Sequence, residues 1–143
     1  MKATAQQATA TIPFEGHALR LIDFWRPSQA IPPCFIARAK HCLLDALGCA
    51  LFGAGQPWGR IMADEVVADG CEGPCSLLGS SFTAPPAQAA LCNGTAIHSF
   101  ELDDLLPASI VHPGTVIVPA VLAAAEASNA SGIDAAARDC RRL

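Results

Sequence analysis

The densest polar stretch of this chain runs from Asn93 to Gly114 and carries Asn93, His98, Ser99, Glu101, Asp103, Asp104, Ser109 and His112 between apolar segments. Glu101, Asp103 and Asp104 repel one another at this spacing. Taken out of water, at least one of them would hold its proton more tightly, which is how a fold obtains a general acid or base near neutral pH. Helical spacing would put Asn93, Ile97 and Glu101 on one face, with His98 one step round from Glu101. His112 stands just before a helix start, from which its ring could reach back to the acids. The Gly114-Thr115 junction offers free amides and the positive end of a helix dipole, a seat for a substrate carboxylate. A carboxylate, one or two imidazoles and an anion seat are the parts needed to remove a proton next to a carboxylate. His112, Glu101, Asp103 and Asp104 are therefore the catalytic candidates, and Asn93, His98, Gly114 and Thr115 the substrate-binding candidates. A plainer reading stands beside this one: Asp103 and Asp104 as solvated loop acids, His112 as a cap and His98 as a satisfied, half-buried side chain. His17 and His41 have no polar cluster near them in sequence.

Other chemistries lack their motifs. The chain has no HExxH zinc pattern, no phosphate-binding glycine loop and no GxSxG elbow. No metal or other cofactor is expected. Cys71 and Cys75 flank Glu-Gly-Pro, but no His or second Cys pair follows at zinc-like spacing. Seven cysteines, several among apolar neighbours, read as reduced structural thiols in a reducing, cytoplasmic setting.

Composition sets the frame. The chain has 143 residues, 52% of them hydrophobic and 15% charged, which suits one domain with a real core and argues against disorder. A net charge of -4 leaves no basic footprint for nucleic acid or an acidic membrane surface. The longest apolar run, Val116 to Ala125, is interrupted by Pro119 and falls short of the ~20 residues of a membrane span. Lys2 and Lys40 are the only lysines, so an anionic substrate would have to be held by arginines, helix N-termini or residues from elsewhere.

Helices must position the polar stretch. Gly16 to Trp25 suggests a short amphipathic helix. Phe35 to Leu51 repeats apolar residues at three- and four-residue intervals after Pro32-Pro33, with Gly53 and Gly55 as the stop. A helix is expected over Ile61 to Ala68 after a Gln56–Gly59 turn, and extended chain or a short strand at Cys75 to Gly79. Pro85-Pro86 opens a helix reaching Phe100. A loop over Leu105 to Val111 precedes an Ala- and Val-rich helix from about Thr115 to Ser128, ended by Gly132. The expectation is an all-α, mainly helical unit: a disordered leader over residues 1–14, an incomplete domain over 15–132 and a divergent or truncated tail over 133–143.

The run Asn93-Gly94-Thr95-Ala96-Ile97-His98-Ser99-Phe100-Glu101-Leu102-Asp103-Asp104, with Ser109-Ile110-Val111-His112-Pro113-Gly114 and Val118-Pro119-Ala120, resembles the signature of the MmgE/PrpD family. Ala39 to Gly53, Leu77 to Gly79, Pro86 to Ala90, Ala124 to Glu126 and Ser131-Gly132 carry the likeness along the chain. That family includes 2-methylcitrate dehydratase, cis-aconitate decarboxylase and iminodisuccinate epimerase. The resemblance implies the N-terminal part of a helical domain, joined in full-length members to an α/β lid. It also implies metal-free acid–base lyase or isomerase chemistry on small di- or tricarboxylates, commonly in a homodimer. Glu101 matches the first acid of the pattern, usually Asp, and His112 matches its His-Pro unit. Leu105 and Leu106 stand where the pattern has Thr and His, and Gly114 where Ser is more frequent, so the site is less polar than the pattern. The lid is expected to be absent after Gly132. The alternative is a catalytically inactive helical fragment with only folding or dimerisation capacity.

Overall fold

Proline opens each of the four helices bounded within the described residues, 31–70 and 72–132, of the computed structural model. α1 spans Pro33–Ala54, α2 Pro57–Ala68, α3 Pro86–His98 and α4 Pro113–Ala127. Proline fits the first helical position because its φ is already helical and its missing N–H would have no partner there. None of the four N-cap residues, Pro32, Gln56, Pro85 and His112, caps its helix with its own side chain.

This explains where the boundaries depart from expectation. The Gln56–Gly59 segment is not a turn but the cap and first turn of α2, and α4 begins two residues before Thr115. Gly53 does not stop α1, which continues to Ala54 and ends at Gly55. A Cβ on Gly53 would overlap the Ala96 carbonyl, and one on Gly59 would overlap the Gly53 carbonyl. These glycines let α1, α2 and α3 cross backbone to backbone. α4 ends at Ser128, with Asn129 in the left-handed region at φ 49°, so Gly132 does not end it. The expected helix at Gly16 to Trp25, the leader and the tail from Ile133 lie outside the described residues.

β1, Cys75–Ser76, lies within the segment read as a short strand or extended chain and pairs antiparallel with β2, Thr83–Ala84, a partner the sequence did not announce. The hairpin lies against α3 and α4. Glu126 accepts from the Ser76 amide at 3.0 Å and the Ser76 hydroxyl at 2.6 Å, tying β1 to the last turns of α4. The fold is otherwise helical, as expected.

The core is built from small side chains. One cluster gathers Val66, Cys75, Leu77, Ala84, Ala89, Cys92 and Ala123, and another Ala46, Ala50, Ile97 and Val118. Small residues bring helix axes close, so shape fit rather than bulk holds the crossings. Phe100, just past α3, packs edge-on to Phe52 of α1 at 4.8 Å and stacks with Trp58 of α2 at 6.4 Å between ring centroids. That aromatic contact fixes the point from which the polar loop departs.

Burial raises the thiol pKa of Cys75, with Glu126 adding to it, that of Cys92, and that of Cys49, where Asp45, Asp103 and Asp104 add. The protonated Cys75 thiol donates to the Ala123 carbonyl at 3.3 Å. A thiol pKa raised on folding means that the unfolded chain ionises first. The stabilisation is complete below the unfolded thiol range and declines as pH rises through it. Urea midpoints should therefore fall between about pH 7 and about pH 10, less steeply in Cys75→Ala. A flat profile in the parent chain would contradict this.

Candidate functional site

The site is the loop from Ser99 to His112, suspended between the end of α3 and the start of α4. α3 stops at His98 because the chain turns: the Glu101 amide donates back to the His98 carbonyl at 2.8 Å, and Glu101 takes φ 52°. Glu101 thus leaves the helical face it was expected to share with Asn93 and Ile97, and its side chain is exposed. Farther on, Leu106 and Val111 form an isolated antiparallel bridge, with the Leu106 amide donating to the Val111 carbonyl at 2.8 Å. Ile110 turns with φ 52°. The bridge closes residues 106–111 into a tight exposed turn and returns the chain to α4.

Between these turns Asp103 and Asp104 part company. The Asp103 side chain is 1% exposed, and its Oδ2 lies 3.1 Å from His98 Nδ1 and 3.2 Å from His112 Nδ1. His98 makes the directed hydrogen bond, while His112 Nδ1 is buried and approaches without alignment. The two rings sit edge to face, 4.7 Å between centroids. Asp104 instead accepts from the Gly114 amide at 2.8 Å. It is a cap supplied from ten residues upstream to a helix whose own N-cap, His112, provides none, and it meets the positive end of the α4 dipole. The Gly114 amide, expected to be free for substrate, is thereby engaged. A Cβ at position 114 would stand 2.5 Å from Asp104 Oδ1, so glycine makes room for the cap.

The remaining candidates divide clearly. Asn93 is 3% exposed and lies away from the loop. Its carboxamide accepts from the Leu78 amide at 2.9 Å and donates to the Ser76 carbonyl at 2.9 Å, mimicking a neighbouring strand. The Thr115 hydroxyl donates to the Gly94 carbonyl at 3.0 Å and pins the α3–α4 crossing. His98 and Thr115 line an open groove between α3 and α4 of about 560 Å³, with Leu91, Val116 and Pro119 as apolar walls. Ser99, not among the sequence candidates, also lines it, and its buried hydroxyl has no partner among the described residues. Its position straight after His98 in the polar run was the available signal. His41 is exposed, and His17 and Cys71 lie outside the described residues.

His98, Asp103 and His112 bring three donor atoms within 4.8 Å of one another, a set that could also hold a divalent cation. Without an ion, the same arrangement is a carboxylate acceptor between two imidazoles, the combination used to move protons.

Replacing Asn93 with alanine strands the part-buried Leu78 amide and Ser76 carbonyl. Asn93→Ala should cost about 2 to 4 kcal/mol in denaturant unfolding. A loss under about 0.5 kcal/mol would remove Asn93 from the scaffold.

Comparison with known proteins follows the same residues. Residues 26–138 match the MmgE/PrpD N-terminal domain. The chain is 39% identical over 116 residues to the cis-aconitate decarboxylase-like protein oryM of Aspergillus oryzae, covering 78% of this chain and 24% of that protein. It is 33% identical over 109 residues to cis-aconitate decarboxylase of Aspergillus terreus, covering 73% and 22%. With the Mus musculus cis-aconitate decarboxylase it shares 31% identity over 94 residues, covering 64% and 19%. The chain therefore spans about a quarter or less of the length of these relatives. With its helices, its polar loop and its His-Pro unit all inside the matched segment, the chain belongs to the MmgE/PrpD family.

Proposed function

We propose that this chain supplies acid–base groups for lyase or isomerase chemistry on a small di- or tricarboxylate. The observation that carries the proposal is Asp103, buried between His98 and His112 beside an open groove. His112 takes the proton from carbon next to a substrate carboxylate; the C–H bond breaks, an N–H bond forms, and the electron pair stays on carbon, delocalised into the carboxylate. Glu101, exposed on its left-handed turn, is the acid at the position of the family pattern's first carboxylate. The Ser99 hydroxyl offers a donor to substrate oxygens, with His98 and Thr115 lining the groove beside it. Asp103 and Asp104 serve this chemistry from behind, at the imidazoles and at the Gly114 amide. The scheme needs no cofactor. The relatives' named substrate, cis-aconitate, is one candidate, and Leu105 and Leu106 make this loop less polar than the family pattern.

The five described cysteines, Cys34, Cys42, Cys49, Cys75 and Cys92, are free, which suits a reducing, cytoplasmic setting. No described helix is long and apolar enough to cross a membrane. A second reading, a helical unit that works by packing rather than catalysis, is favoured by exposed apolar side chains. Leu44 is 70% exposed, Val116 69% and Ile110 82%. Such faces pack against further protein, a second copy of the chain included.

Purified chain should be followed by NMR with cis-aconitate, citrate, 2-methylcitrate and iminodisuccinate, alongside size-exclusion chromatography. Conversion of at least one is expected, and His112→Ala should slow it at least about 100-fold. A folded, defined oligomer that converts none of them would favour the packing reading.

A further inference from the structure

Two imidazoles sharing one carboxylate constrain each other's protons. Among the described residues the ion-pair partners of Asp103 are His98 and His112, and both approach it through Nδ1. An ionised carboxylate only accepts hydrogen bonds. A bare Nδ1 lone pair 3.1 or 3.2 Å from Oδ2 would set two lone pairs against each other at a carboxylate whose side chain is 1% exposed. An Nδ1–H there is attracted instead. His112 Nδ1 is buried without an aligned hydrogen-bond partner, and Asp103 Oδ2 stands 3.2 Å from it. Neither Nε2 has a hydrogen-bond partner among the described residues, and His98 lines the open groove.

We propose that Asp103 is a positioning residue that fixes the tautomer of both rings, holding His98 and His112 as Nδ1–H with Nε2 as the free base, so the site carries a matched pair of proton carriers. This deepens the proposed function and rests on it for its catalytic meaning, but the tautomers themselves can be read without turnover. The pairing assigns His98 more than substrate contact. With one carboxylate behind two rings, a proton taken up by either ring is balanced by Asp103 while the other ring remains a neutral base. Asp104 does not compete for this place, because its Oδ1 is held by the Gly114 amide.

The experiment is 15N-detected histidine NMR on the 143-residue chain treated with EDTA, at a pH where both rings are neutral. A histidine in water favours the Nε2–H form, so a contact of no consequence would leave that signature in place. The expected result is protonated Nδ1 and bare Nε2 on both His98 and His112. In Asp103→Asn the new amide donates to one Nδ1, and that ring should reverse to Nε2–H. The parent spectrum decides the matter alone if the variant does not fold. Nε2–H on either ring of the parent chain would overturn the proposal. So would stoichiometric Zn²⁺ binding that strips both Nδ1 protons, which would make the cluster a metal centre. Correct tautomers without turnover would leave the positioning role standing and remove the catalytic reading; turnover with Nε2–H rings would do the reverse.

Discussion

Two neighbouring carboxylates with different partners hold this molecule's loop in place. Asp103 turns into the protein and meets His98 and His112, while Asp104 turns to the Gly114 amide and closes the start of α4. A buried carboxylate without partners would be costly, and so would a helix start with unfilled amides. Each aspartate therefore removes a penalty that the loop would otherwise impose. Between them they tether both ends of the segment: Asp103 to the last residue of α3, Asp104 to the first turn of α4. The site and the α3–α4 connection are thus one arrangement.

The scaffold behind the loop follows from small residues. Gly53, Gly59, Ala96 and the alanines of α1 allow close crossings, and Phe100 anchors the exit of α3 on Phe52 and Trp58. Asn93 and Glu126 fasten the two-residue strands to α3 and α4 through backbone groups. A hairpin this short gains little from its own ladder. Its side-chain partners on the helices do the fastening, which makes Asn93 a scaffold residue.

The helices were legible because their apolar spacing and opening prolines act locally. Phe35 to Leu51 and the run after Pro85-Pro86 announce themselves in any window of the sequence. The hairpin was not legible, since two-residue strands have no period to detect and depend on contacts from Asn93 and Glu126 far along the chain. Gly53 read as a stop because a glycine required by a neighbouring helix has the same letter as one required by a cap. In the polar stretch the residue types pointed to acid–base chemistry and put His112 and Asp103 among the candidates, which the structure brings within 3.2 Å of each other. Their directions were hidden: positive φ at Glu101 and Ile110 decides which acid turns inward, and sequence spacing treats Glu101, Asp103 and Asp104 alike. His98 and His112 lie far enough apart in sequence that only the loop's closure brings them together.

The most direct test of this account is the distance between the two imidazoles. A nuclear Overhauser experiment on ring protons, with the chain's four histidines assigned by single substitutions, reads it in solution. Rings 4.7 Å apart between centroids, joined through Asp103, should give clear cross-peaks between His98 and His112. If both rings are assigned in the folded chain and no cross-peak joins them, the two histidines do not share Asp103 and the site described here does not exist.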